Sequence, residues 1–354
     1  MNRRSLLLVP LLALSLMGAG CFGFGGTDKA LLGDGGVFRT RDEAVKWEQL
    51  KVLNLDTQIG STVELGTATT ALDPQDPNTI YVGTTENGLM YTTDGALSWK
   101  LATGLTKGKI NGIVVDAKDK CTVYALRANT IQKTTTCGRE WGEVWAHPRA
   151  ATVVTAVAGD WYNPKTLYIG TSDGDILRSD DGAVTWRPMH RVDNNRINDL
   201  KIDPKDSRVV YAATNGAGVL KSIDGGATWI EIRKQFQEFQ YARTPKFLVL
   251  DANVKDRIYH ISKYGLLVSD DGAATWRAMT LPTAPQDTEI SSFVIHPKDS
   301  KILAYSTATA LVVSKDGGVT WSSKKLPTKR GVAWMIYSQE EKPALLLGAS
   351  PLKQ

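Results

Sequence analysis

Cysteine and histidine are scarce in this chain, three and four residues respectively out of 354. The histidines His147, His190, His260 and His296 are scattered without ligand spacing, so no metal and no cofactor is expected. A P-loop and an H-E-x-x-H string are both missing, as are stretches that would stack bases. The positive surplus is small, +5 for the whole chain, and does not argue for nucleic acid. The apolar run Leu6 to Leu16 is too short to span a bilayer comfortably.

What the chain does have is glycine, 32 residues, and a phrase that returns six times. It reads TTDGALSW from Thr92, TTTCGREW from Thr134, SDDGAVTW from Ser179, SIDGGATW from Ser222, SDDGAATW from Ser269 and SKDGGVTW from Ser314. The closing tryptophans lie 42, 45, 43, 47 and 45 residues apart. A period in the forties marks stacked supersecondary units.

The unit is clearest from Ile197. Alternating Leu200 and Ile202 run into Asp203-Pro204-Lys205-Asp206, a type I turn by its Asp and Pro. A β-rich run from Val209 to Ala213 follows, then Asn215-Gly216 reverses the chain into Gly218 to Lys221. The phrase is then the turn from third to fourth strand: Asp224 accepts backbone N–H groups, Gly225 and Gly226 adopt positive φ, and Ser222 and Thr228 tie the ends. Trp229 is expected on the fourth strand, facing the neighbouring sheet. Burying an indole is worth about 4–6 kcal/mol at most, reason enough for a tryptophan to recur without a ligand.

A four-stranded antiparallel meander of this length suits a propeller blade. Gly36 to Trp47, GVFRTRDEAVKW, aligns without gaps to the other copies, with Asp42 and Trp47 in the Asp and Trp places. Val332 to Tyr337 and Ala344 to Ser350 read as two strands of a unit that stops before its phrase. The expected fold is therefore all-β: a seven-bladed propeller over residues 36–354, closed by N- and C-terminal strands sharing one blade. A monomer is expected.

Residues 1–20 read as a secretory signal, with Arg3 and Arg4 ahead of the apolar run and Gly18-Ala19-Gly20 at its end. Cys21 follows directly, and this resembles the lipobox of bacterial lipoproteins, except that Gly18 stands where Leu is usual. The resemblance implies a lipidated Cys21, a tether over 21–35, and a protein exported but held at a membrane, facing the periplasm or cell exterior. Cys121 and Cys137 flank a hairpin that reverses at Ala128-Asn129, which predicts a disulfide in an oxidising compartment.

The phrases resemble the Asp-box, or bacterial neuraminidase repeat, over nearly the whole mature chain. A carboxylate recurring in every blade is a poor active site, so Asp94, Asp181, Asp224, Asp271 and Asp316 are expected to hold turns, with Trp99, Trp186, Trp229, Trp276 and Trp321 packing blades. Sialidases share the boxes, but their (F/Y)RIP string has only Phe38-Arg39-Thr40 as a counterpart. Xyloglucan hydrolases use two such propellers, whereas this length accommodates one. TLYIGTSDGDILRSDDGAVTW and the DPKD turn are similar to single seven-bladed propellers known as photosystem II stability and assembly factors. That likeness implies a binding scaffold without catalytic residues; a sialidase-like or xyloglucanase-like glycoside hydrolase is the alternative.

Partner contacts are expected in the connections between blades, opposite the phrases. These hold Lys107 and Lys109; Arg187, His190, Arg191 and Arg196; Arg233, Lys234, Phe236, Phe239, Tyr241, Arg243 and Lys246; and Lys324, Lys325, Lys329 and Arg330. Such a face suits an anionic protein surface, an anionic glycan or lipid headgroups.

Overall fold

Second strands of the repeat are continuous apolar runs, as expected for strands covered on both faces. A computed structural model, which describes residues 33–55, 58–287 and 289–351, shows why. Ile80–Thr84, Leu167–Thr171, Val210–Thr214, Ile258–Ser262 and Leu345–Ala349 are each buried throughout, sandwiched between neighbouring sheets. Outermost strands such as Arg187–Arg191 and Ser322–Lys325 are largely exposed.

Seven antiparallel sheets stand around a central channel. Blade I is shared by the two ends of the chain: Val37–Thr40 pairs with Leu345–Ala349, placing Phe38 opposite Leu347. Its innermost strand is Val332–Tyr337 and its outermost Glu48–Gln49. Blades II to VII follow in order, their innermost strands being Thr67–Leu72, Ile110–Val115, Val154–Gly159, Ile197–Ile202, Pro245–Leu250 and Ser292–His296. An apolar cluster fills each seam, for example Tyr168, Ile197 and Leu220 between IV and V, and Phe38, Val294 and Leu347 between VII and I. Near the axis, polar ties link successive blades: Thr155 Oγ1 donates to Ile197 O at 2.6 Å, and Thr67 Oγ1 to Ala349 O at 2.9 Å.

Blade II departs from the four-stranded expectation. A hairpin of Val52–Leu55 and Gln58–Ser61 adds to it, with Leu53 parallel to Trp99, giving six strands. It covers the outer edge that the other blades leave open.

Two different faces result. On the turn face, the repeated turns of blades II to VII each bond to the turn between the first two strands of their own blade, as Gly225 N–H does to Arg208 O at 2.8 Å and Gly182 N–H to Lys165 O at 3.0 Å. On the loop face, the hairpins between second and third strands bond to the connections between blades. Gly218 N–H donates to Arg243 O at 2.9 Å and Asn215 N–H to Arg196 O at 2.9 Å. Cys21 and most of the expected tether lie outside the described residues. Its last residues are not a free tether, since Gly35 N–H donates to Val63 O at 2.7 Å. No described helix is long and apolar enough to cross a membrane.

Candidate functional site

The repeated turn is a closed hydrogen-bond system. Ser222 Oγ donates to Asp224 Oδ1 at 2.8 Å and accepts Gly226 N–H at 2.8 Å, while Asp224 accepts Thr228 N–H at 2.9 Å and Thr228 Oγ1 at 2.6 Å. The same bonds recur around Asp181, Asp271 and Asp316. The N-terminal copy keeps all but the second hydroxyl bond, through Thr40, Asp42 and Lys46 N–H. Two successive residues take positive φ in each turn, such as Gly225 at 69° and Gly226 at 84°.

Threonine hydroxyl and backbone donors hold the Asp181, Asp224 and Asp316 carboxyls down to about 2. At Asp271 desolvation opposes the shift, but the same kind of donors win and the value is again about 2. In the third blade Thr136 stands in the Asp place and does part of its work, its Oγ1 accepting Glu140 N–H at 3.0 Å. Cys121 and Cys137 are disulfide-bonded across the base of the hairpin, in register with Val123 opposite Thr134.

The tryptophans differ more than the repeat suggests. Trp99 is fully buried and begins the fourth strand, its Nε1 donating to Leu50 O at 3.0 Å. Trp229 instead precedes the strand Ile230–Ile232, is half-buried, and donates to Gly226 O of its own turn at 2.9 Å. It still packs on the preceding blade, its ring 6.1 Å from that of His190.

A second element of each turn went unread in the sequence: the residue just before the opening Ser or Thr. Arg178 NH1 reaches across the seam to Gly225 O at 2.7 Å while lying over the Tyr168 ring at 5.6 Å. Lys221 does the same to Gly272 O at 2.7 Å over Tyr211, and Lys133 to Gly182 O at 3.3 Å over Tyr124. Arg39 reaches Gly95 O at 2.9 Å. These cations latch one blade to the next. The seam after blade II has Tyr91 in that place, and those after VI and VII have Val268 and Val313.

On the loop face the expected partner residues separate into groups. Arg233, Lys234 and Arg243 are exposed and have no ion-pair partner among the described residues. Phe236 is not available to a partner: it is 1% exposed and stacks against His260 and Trp276, with centroids 4.8 and 5.5 Å away. It anchors the 3-10 turn Lys234–Phe236, because the connection buries its own apolar residues to stay rigid. Phe239 packs edge-on to Tyr264 at 5.3 Å, and Tyr241, 47% exposed, lies under Lys263 at 4.6 Å.

Four other expected contacts are engaged elsewhere. Arg330 is buried and paired with Glu64 at 3.0 Å. Arg187 begins the fourth strand, at the turn-face end, and pairs with Asp180 at 2.9 Å. Arg191 bridges Asp175 at 2.6 Å and Asp193 at 2.8 Å, and Lys246 pairs with Glu289. Lys324 and Lys325 end the outermost strand of blade VII without an ion pair among the described residues. The counter-ions come from other parts of the chain as well as from the connections themselves: Glu64 from the segment before blade II, Asp175 from the hairpin of blade IV and Glu289 from the connection between VI and VII.

Beneath this loop lies His260, fully buried, with Nε2 2.8 Å from Ala242 O and Nδ1 without a partner. Burial depresses its pKa to about 4. The central channel holds a cavity of about 770 Å³, lined by residues including Asn198, Asp199, Phe247 and Trp334. Its polar groups are used between strands: Asp199 accepts Leu248 N–H at 3.0 Å and Asn198 Nδ2 donates to Pro245 O at 2.9 Å.

Two carboxylates meet on the loop face at Asp173 and Asp175. Both pair with Arg149, and hydrogen bonding from Thr152 holds Asp173 below its usual range. A glycosidase acid needs the opposite shift. Gly170-Thr171-Ser172-Asp173-Gly174 has the spacing of a nucleophile elbow, but it forms a β-hairpin in which Ser172 Oγ donates to Asp173 at 2.9 Å. No cluster fit to hold a metal occurs among the described residues.

A family described as Sortilin-Vps10 (Sortilin, neurotensin receptor 3) matches residues 219–349, well under half of the chain. No curated protein matches. Among solved structures, the GH74 xyloglucanase from Xanthomonas campestris is similar at 14% identity and a TM-score of 0.67, covering 81% of this chain and 51% of the xyloglucanase. This chain thus spans about half the length of that enzyme. YCF48 bound to D1 peptide is similar at 16% identity and a TM-score of 0.60, covering 82% of this chain and 94% of YCF48. The extracellular domain of BT4673 from B. thetaiotaomicron matches at 16% identity and a TM-score of 0.51, over 89% of this chain and 42% of that one. At these identities the likeness shows the fold: the chain is a seven-bladed β-propeller.

Proposed function

We propose that this protein is an exported, lipid-anchored propeller of the Asp-box type that acts as a non-catalytic binding scaffold, gripping an acidic protein segment on its loop face. The observation that carries this reading is the connection between blades V and VI. There Arg233, Lys234 and Arg243 stand exposed and without an ion pair among the described residues, on a turn whose floor, Phe236 and Ala242, is buried. Exposed Arg196 flanks the same hairpin as Arg243. A rigid floor under free cations reduces the ordering cost of binding and favours an anionic partner.

Tyr241 adds an aromatic contact, held at φ 68° in a conformation rare for a bulky residue. The YCF48 structure supports the reading by example: a propeller of comparable length is described there with a bound peptide. The disulfide fits an oxidising, exported setting. The hydrolase alternative is not favoured, because Asp173 and Asp175 are neutralised by arginines.

The test is capture of partners from native membranes by crosslinking, with the chain compared to a variant carrying Arg196, Arg233, Lys234 and Arg243 as Ser. Recovery of the same protein by the natural chain and its loss with the variant is the expected result. Equal recovery by both rejects the basic connection as the grip.

A further inference from the structure

We infer that the loop face lies against an anionic lipid surface, through lysines grouped where the chain joins the propeller. This rests on the proposed lipid anchor at Cys21. The first described residues sit on this face: Thr328 Oγ1 donates to Asp34 O at 2.8 Å and Lys329 N–H to Asp34 Oδ2 at 2.6 Å. Gly33 comes twelve residues after Cys21, a reach of at most about 40 Å. The chain thus enters the propeller on this face, and the anchor is attached nearer to it than to the turn face.

The charge of this region complements such a surface. Lys324 and Lys325 end the outermost strand of blade VII, Lys329 lies in the connection from VII to I, and Lys107 and Lys109 lie between II and III, so the two groups flank blades I and II. None of the five has a carboxylate within ion-pair distance among the described residues. The acids nearby are Glu86 and three already engaged, Glu64 with Arg330, Asp34 with the backbone of Lys329 and Glu289 with Lys246. On the turn face Arg178, Arg187, Arg208, Arg257 and Arg277 are paired to aspartates, while its exposed lysines, such as Lys120, Lys165 and Lys205, lie at the opposite end of the blades from the point where the chain enters the propeller. Basic side chains beside an acyl anchor supply the second signal that stable membrane attachment requires. A partner gripped between blades V and VI is then one displayed at the membrane surface.

The experiment uses the Cys21→Ser chain, which cannot be acylated, and vesicles of phosphatidylcholine with or without about one third phosphatidylglycerol, the anionic fraction that sets the surface potential. Cosedimentation only with the anionic vesicles, weakened by added salt, is expected. Changing Lys107, Lys109, Lys324, Lys325 and Lys329 to Ser weakens it by about tenfold or more, with an unchanged melting temperature. The charge-matched control changes Lys46, Lys120, Lys165, Lys205 and Lys342, five exposed turn-face lysines, and keeps binding. Failure of the Cys21→Ser chain to bind anionic vesicles overturns the inference, and so does equal loss in both lysine variants. Labelled-palmitate incorporation into the natural chain reads the anchor separately: no label with vesicle binding retained removes the anchor and leaves the lipid-facing surface standing.

Discussion

The two faces of this propeller are made by the same chain under opposite rules. On the turn face, the hydroxyls and carboxylates of the repeat satisfy one another, and four of the seams are further closed by a cation reaching a glycine carbonyl. On the loop face the connections differ in length and sequence, and several lysines and arginines have no counter-ion among the described residues. Regularity here marks structure, and the chemistry left over for a partner sits where the repeat breaks.

The largest effect that separates the faces is expected on the turn side. Trp99→Ala removes a fully buried indole and its bond to Leu50 O, and should cost about 3–5 kcal/mol. Trp229→Ala, half-buried and bonded within its own turn, should cost about half as much by the same scaling. Equal melting temperatures for the two variants would mean that the repeat position, and not burial, sets the contribution. Next comes the disulfide. Replacing Cys121 and Cys137 by Ser frees a loop with a sequence separation of 16, which should lower stability by about 3 kcal/mol, read by denaturant unfolding with and without reductant.

Acid distinguishes buried from exposed groups. His260 is held neutral by burial, with a folded value of about 4 against 6.5 unfolded. Between those values the unfolded chain binds more protons, so stability falls as the pH drops from 6.5 toward 4, by about 3 kcal/mol at most. The turn aspartates act lower: with values of about 2 in place of 3.8, their contribution is intact above 3.8 and is lost as the pH falls toward 2. His260→Gln should flatten the upper part of the melting temperature against pH and leave the lower part unchanged. A slope above pH 4 that survives the substitution assigns the upper window to another group.

The latches come next. Arg178→Leu deletes a charged hydrogen bond and a ring contact at a seam, worth about 1–2 kcal/mol. The Leu variant should melt lower while the disulfide and the other seams stay intact; an unchanged melting temperature would show that the apolar clusters alone hold the blades.

Much of this architecture was legible because it repeats. Six phrases and a seventh worn copy gave the blade count, and the two incomplete ends gave the closure, since each lacked the strands that the other supplied. The hairpin at 52–61 was not legible, because it belongs to no repeat and its parallel pairing to Trp99 is set by the fold around it. The latching cations had a signal, a basic residue directly before the opening Ser or Thr in Arg39, Lys133, Arg178 and Lys221, but its partner lies in the next blade. The loop-face contacts were read from charge and aromatic content alone. Charge in sequence does not reveal that Arg330 is buried, that Arg187 lies at the turn-face end of its strand, or that Phe236 is the floor of its connection.

The smallest expected effect tests the loop face by the same measure. Arg233, Lys234 and Arg243 make no side-chain contact that holds blades together: the connection is fixed by Phe236, by Ala242, and by the backbone bond from Gly218 to Arg243 O, which any residue at that position supplies. Changing all three to Ser should therefore leave stability within about 0.5 kcal/mol, a shift at the limit of a thermal melt. Phe236→Ala in the same connection should cost several times more, because it opens a cavity against His260 and Trp276. If the cations prove as costly as the phenylalanine, they belong to the fold and the proposed grip is lost; if they are silent in stability while partner capture falls, one short segment has been divided into the residue that builds the surface and the residues that use it.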